Sequence, residues 1–181
     1  MSTTVLVFHP NFDTSKANRA LVDAARVLPD IEVVDMGRLY PDGDVDTDVE
    51  VDRLLKADRL VLQFPVQWYS TPPLLKTWQD TVLTRMYYIN PREEGERLRD
   101  LPVLIAATAG NKPSAYTPTG ANLFPLKELL KPLQATANRC FWKWGEPFVM
   151  YRANKATQDE LTKAKRQYSN HLIEWIKATA A

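Results

Sequence analysis

The chain has 181 residues, enough for one domain with a real hydrophobic core and too few for two comfortable ones. Hydrophobic residues make up 45% and charged residues 25%, which excludes a disordered or fibrous chain, and a formal net charge of +1 gives no reason to invoke nucleic acid or an anionic membrane surface. A single cysteine, Cys140, excludes an intrachain disulfide and fits a reducing, cytoplasmic setting; with only His9 and His171 beside it, a His/Cys metal site has little material.

The N-terminus has no basic stretch ahead of its apolar run, so no signal peptide is expected. Nor does any apolar run approach the roughly 20 residues that span a bilayer. Thr4–Phe8 is short, apolar and β-branched, and reads as a first strand. It empties into His9-Pro10-Asn11-Phe12-Asp13-Thr14-Ser15, a loop of short hydrogen-bonding side chains. A helix over about Lys16–Leu28 follows, with Thr14 or Ser15 as its cap and Ala17, Leu21 and Ala24 on one face. Its N-terminus either holds an anion, helped by His9, Ser15 and Asn18, or is an ordinary capped connection. Neither a G-x-G-x-x-G nor a Walker lysine accompanies it.

Ile31–Met36 reads as a second strand, and Tyr40–Asp52 as an acidic connection into a short helix near Val49–Ala57. Leu60–Phe64 is a buried strand that stops at Pro65. The chain then turns through Val66-Gln67-Trp68-Tyr69 and restarts as a helix at Pro72-Pro73, with Thr71 as the expected cap. Either this loop packs two half-buried aromatics, or Trp68 and Tyr69 offer flat surfaces to an aromatic ligand. Arg85–Asp100 reads as a long charged connection. Pro102–Ala107 is a strand ending in the small residues Thr108-Ala109-Gly110-Asn111, where a ligand can approach the backbone closely. Leu126–Asn138 has helical spacing, with Pro132 at a boundary or kink. Phe148–Tyr151 is a last strand, and Thr157–Lys177 a terminal helix with Leu161, Ala164, Tyr168, Leu172 and Trp175 as its core stripe. Cys140 reads as a small buried hydrophobe.

Five strands alternating with helices predict a parallel sheet covered on both faces, in the order 2-1-3-4-5. The loops after Phe8, Phe64 and Ala107 then lie together at the carboxyl edge, next to the switch point where ligands bind in such sheets. Neither a repeat nor a linker interrupts the chain, so residues 1–181 are expected to form a single domain.

Three motifs carry a family resemblance: F-H-P with S-x-x-N (Phe8 to Asn18), P-x-Q-W-Y-S-x-P-x-L-L-K-x-W (Pro65 to Trp78), and Ser114-Ala115-Tyr116 after the fourth strand. Pro132-Leu133-Gln134-Ala135-Thr136-Ala137 matches as well. With these the chain resembles the flavodoxin-like NAD(P)H:quinone oxidoreductases of the DT-diaphorase group. Within that group it is most similar to the bacterial ancillary proteins of glutathione-regulated potassium efflux systems.

The resemblance implies a flavodoxin-like three-layer sandwich holding FMN, with FAD as the alternative, and NADPH or NADH as co-substrate. His9 with Ser15, Lys16, Ala17 and Asn18 would hold the phosphate side of the flavin. Pro65, Val66, Gln67, Trp68 and Tyr69 would bond the ring edge around N5. Thr108, Ala109, Gly110 and Asn111 would face the pyrimidine side and ribityl chain, and Tyr116 would be the catalytic tyrosine near the hydride path. The implied partners are a quinone or other small acceptor, a second copy of the chain, and a membrane-bound potassium efflux antiporter. The last would place the protein at the inner face of the cell membrane. Tyr87, Tyr88, Trp142 and Trp144 are the aromatics expected at a dimer surface. Three positions depart from the family pattern: Ala109-Gly110-Asn111 after Thr108, Met86-Tyr87-Tyr88-Ile89, and Asn122 where DT-diaphorase has an active-site histidine.

Overall fold

The computed structural model describes residues 1–180. Strands β1 (Thr3–Val7), β2 (Ile31–Asp35), β3 (Arg59–Pro65) and β4 (Pro102–Thr108) are all paired in parallel. Helices α1 (Lys16–Arg26), α2 (Met36–Leu39), α3 (Thr47–Lys56) and α4 (Pro73–Trp78) alternate with them. After β4 come α5 (Leu126–Leu129), α6 (Lys131–Arg139), β5 (Lys143–Trp144), β6 (Phe148–Met150) and α7 (Gln158–Ala178). The sheet order is β2-β1-β3-β4-β5, with β6 also on β4, so the expected 2-1-3-4-5 sheet is present.

One strand more than expected appears because the last strand is broken. Lys143 and Trp144 pair with the start of β4, Phe148–Met150 with its end. Gly145-Glu146-Pro147 separates them. A β-carbon on Gly145 would lie 2.7 Å from the Trp175 indole nitrogen, so only glycine lets α7 pack this close to the sheet.

The period of two along each strand sorts the core onto two faces. Leu6, Phe8, Leu60, Leu62, Phe64, Val103 and Ile105 face one way, against α3, α4 and α6. Val5, Val7, Val61, Leu104 and Ala106 face the other way, against α1 and α7. Both faces are covered, which is why these strands read as unbroken apolar runs. The expected stripe of α7 is buried, and the helix starts in a capping box: Thr157 Oγ1 accepts from the Glu160 amide, and the Glu160 carboxylate accepts from the Thr157 amide.

Other expectations are corrected. Thr71 does not cap α4: Pro72 is the cap residue, with no side-chain bond, and Pro73 opens the helix. The helix begun by α4 runs on past Arg85, where the charged connection was expected to start. It continues through two π-helical turns, Gln79–Leu83 and Arg85–Ile89, so the start of the supposed charged connection is helical. The wider turn keeps Met86 and Tyr87 in the core, while Arg85 binds Glu94 at 2.9 Å and also pairs with Asp48. The helix over Leu126–Asn138 is divided at Leu130, just ahead of Pro132, which sits in the first turn of α6. Of the four aromatics expected at a dimer surface, Tyr87 and Trp142 are buried edge to face and Trp144 is half-buried; only Tyr88 is exposed.

Candidate functional site

Parallel pairing brings the carboxyl ends of β1, β3 and β4 to one edge. There the Phe8 amide donates to the Gln63 carbonyl, and the Val66 amide to the Thr108 carbonyl, both at 2.8 Å. The three loops singled out in the sequence leave this edge side by side.

The β1 loop closes through a 3₁₀ turn, Phe12–Thr14, and ends on Ser15, which caps α1 by accepting from the Asn18 amide at 3.2 Å. Ser15 uses its oxygen on the third helical amide, so the Lys16 and Ala17 amides face outward as anion donors with the positive end of the helix dipole. His9 stands beside this cap, its Nδ1 accepting from the Asn11 amide at 3.0 Å. Burial pushes its pKa below the usual imidazole value, against the opposing pull of Asp35. A neutral ring with Nδ1 as acceptor carries its proton on Nε2, which remains a donor.

The β3 loop is a two-residue reversal. Gln67 and Ser70 exchange backbone hydrogen bonds of 3.0 and 2.9 Å, and Trp68 and Tyr69 between them have φ of 44° and 66°. Two consecutive aromatics in the left-handed region are strained, a state that clusters at ligand clamps. Trp68 is 91% exposed and Tyr69 47%, so neither is fixed by the core. Of the two readings left open for this loop, the packing of two half-buried aromatics is not the one found.

The β4 loop begins with buried Thr108 and Ala109 and continues into exposed Gly110 and Asn111. A side chain on Gly110 would meet Asn154 at 2.8 Å. Beyond it Tyr116 is buried, its ring tilted against Tyr151 with centroids 5.6 Å apart. Burial raises the Tyr116 pKa, with neighbouring Tyr151 and Tyr69 adding to the effect, so the phenol holds its proton at neutral pH. The Tyr69 hydroxyl donates to Asn122 Oδ1 at 3.4 Å, joining the β3 loop to the segment that carries Tyr116.

Two candidate residues are not free to meet a ligand with their side chains. Ala17 is in the core, and Asn18 is 1% exposed with its amide fully engaged inside the protein. Gln63, Tyr151 and the Tyr69–Asn122 contact were not anticipated. A glutamine inside the apolar run Leu60–Phe64 was the available signal for the first; nothing local marks the other two. Taken together, the edge offers amide donors for an anion at one end, a strained aromatic reversal at the middle and a protonated phenol at the other.

A family model described as the flavodoxin-like fold matches residues 1–172. The chain belongs to this flavodoxin-like family. Within it, the chain is 37% identical to the uncharacterized NAD(P)H oxidoreductase YdeQ of Bacillus subtilis (strain 168), over 95% of this chain and 86% of the relative. It is 36% identical to the glutathione-regulated potassium-efflux system ancillary protein KefF of Klebsiella pneumoniae (strain 342), over 96% of each. Among solved structures, general stress protein 14 of Treponema denticola, in complex with FMN, superposes with a TM-score of 0.85 at 28% identity, covering 99% of this chain and 100% of that one. For a member of the family, this carboxyl edge is the site to explain.

Proposed function

We propose that the chain is a flavin-dependent NAD(P)H:quinone oxidoreductase, with FMN as its cofactor and FAD as the alternative. The observation that carries this is the meeting of the capped α1 terminus, the strained Gln67–Ser70 reversal and the Thr108–Asn111 loop at one edge. An anion site and a planar clamp in one cleft suit a phosphate-bearing aromatic cofactor. The FMN held by the Treponema protein and the oxidoreductase name of the Bacillus relative support the same reading.

A bound flavin would supply the redox chemistry, taking a hydride from NAD(P)H and returning two electrons to a quinone. The chain's own residues do the rest. Lys16 and Ala17 amides, with the His9 Nε2 proton, hold the phosphate. With the Val66 and Gln67 amides paired inside the protein, the backbone amides of Trp68 and Tyr69 orient the ring edge, and the Trp68 ring shields it from water. Tyr116, protonated and buried, presents a hydrogen-bond donor to the acceptor; Asn122 has no proton to give at neutral pH.

The proposal includes a homodimer. Trp68, Tyr69, Leu123 and Phe124 are exposed at the mouth of the site, and Tyr88 and Ile89 further along. A groove of 490 Å³ between α6 and α4 with its π-helical continuation joins Tyr69 to Tyr88. A second copy laid on that seam would cover apolar surface beyond what a monomer ordinarily leaves in water, and would wall the neighbouring pocket.

A second reading rests on the match to KefF over nearly the full length of both chains. In it the protein docks on a potassium efflux antiporter at the inner face of the membrane, and turnover is incidental. Steady-state NAD(P)H oxidation with a soluble quinone, run beside an efflux assay with and without the protein, separates the two. We expect turnover of at least about 1 per second, the low end for ordinary enzymes. Negligible turnover with clear activation of efflux would establish the second reading instead.

A further inference from the structure

Gln63 is 0% exposed and lies on β3, facing α1. Its Nε2 donates to the Asn18 backbone carbonyl at 3.0 Å and to Asn18 Oδ1 at 3.3 Å. A backbone carbonyl only accepts, which fixes the sense of the amide. Asn18 in turn gives its Nδ2 protons to Thr108 Oγ1 at 3.0 Å and to Ser15 Oγ at 3.4 Å. One chain of buried hydrogen bonds therefore joins β3, the first turn of α1, its cap and the first residue of the β4 loop. The Gln63 Oε1 oxygen has no protein partner among the described residues.

We infer that Gln63 is a positioning residue: through Asn18 it sets where the α1 amides stand relative to the β3 and β4 loops. The inference rests on the flavin reading above and assigns the polar core beneath that site. A cofactor that bridges the α1 terminus and the β4 loop needs the two at a fixed separation, and this chain of hydrogen bonds ties them directly. The open Oε1 acceptor has a consequence for stability. A leucine at this position would remove the unpartnered oxygen but also strip the buried Asn18 Oδ1 of its donor, so the fold should lose stability while still forming.

The test is Gln63→Leu, titrated with FMN and with riboflavin by fluorescence quenching. Only FMN carries the phosphate that α1 must meet. We expect FMN to weaken about tenfold, the effect of losing one well-placed buried hydrogen bond. Riboflavin should change by less than about twofold on the same basis, and the thermal midpoint should fall with the loss of the Asn18 Oδ1 partner while the transition stays cooperative. Gln63→Met, of similar length, serves if the leucine variant does not fold. Inorganic phosphate gives a readout without flavin: it should shift the Lys16 and Ala17 amide resonances in the unmodified protein and do so more weakly in the variant. Equal weakening of FMN and riboflavin, or of neither, would overturn the inference while leaving the flavin reading standing. An unmodified protein that binds neither flavin nor phosphate would overturn both.

Discussion

Trp68 and Tyr69 hold two left-handed backbone conformations in succession without glycine and without burial to compensate. Each such conformation costs on the order of 1–3 kcal/mol, so the reversal is sustained by Gln67, Ser70 and whatever lies against it. Trp68→Ala keeps the backbone type and removes only the exposed ring. We expect its unfolding free energy to stay within about 0.5 kcal/mol, as for surface substitutions. FMN affinity should fall several-fold to about tenfold, the scale of a lost aromatic stack. Titration and urea unfolding on the same sample check both; unchanged affinity would make the ring a bystander. His9 gives a pH signature. Its folded pKa lies below the unfolded value of 6.5, so the unfolded chain binds more protons near and below that pH. The stability it contributes is complete above about pH 6.5 and falls as pH drops through that value towards the folded pKa. His9→Asn keeps an acceptor for the Asn11 amide without titrating. The loss of stability between pH 7.5 and 5.5 should therefore be smaller in the variant than in the unmodified protein, measured by urea unfolding at both.

The β4–α5 connection is the element on which Tyr116 depends, and Gly120 is its tightest point. A β-carbon there would stand 2.5 Å from the Ala115 carbonyl and 2.6 Å from that of Ser114, both backbone atoms that cannot step aside. Gly120→Ala should cost about 1–3 kcal/mol, the usual range for overpacking, or loosen the loop by the same amount. Hydrogen exchange would show which, with faster exchange confined to Pro113–Pro125 marking the second. Such close approaches within one irregular loop left no trace in the sequence beyond the glycine itself. The same holds for the continuation of α4: Arg85–Asp100 reads as a loop because it is charged and carries Pro91 and Gly95, whereas π-helical turns keep Met86 and Tyr87 on the core side. The split of the last strand was legible only as Gly145 and Pro147, whose effect depends on how closely Trp175 packs.

For the molecule as a whole, apolar runs, turn residues and right-handed crossovers were enough to order the sheet, because the central strands β1, β3 and β4 are buried on both faces and cannot be mistaken for amphipathic ones. The edge that holds the site followed from that order. What did not follow was which polar residues face outward. Asn18 reads as a phosphate ligand by its place in the first turn of α1, yet Gln63 and Thr108, both distant in sequence, take up its side chain. The proposed dimer seam was legible only as an excess of aromatics, since burial chose Tyr88 and not Tyr87 or Trp142 to be exposed. Sedimentation should give twice the chain mass at micromolar concentration, and a single-chain mass would remove the second copy from the pocket. The central claim is that the carboxyl edge of β1, β3 and β4 holds a flavin. Purified protein supplied with FMN or FAD, freed of excess, heated and weighed by mass spectrometry tests it directly. We expect a flavin absorption spectrum and release of FMN; colourless protein that retains neither cofactor would contradict it.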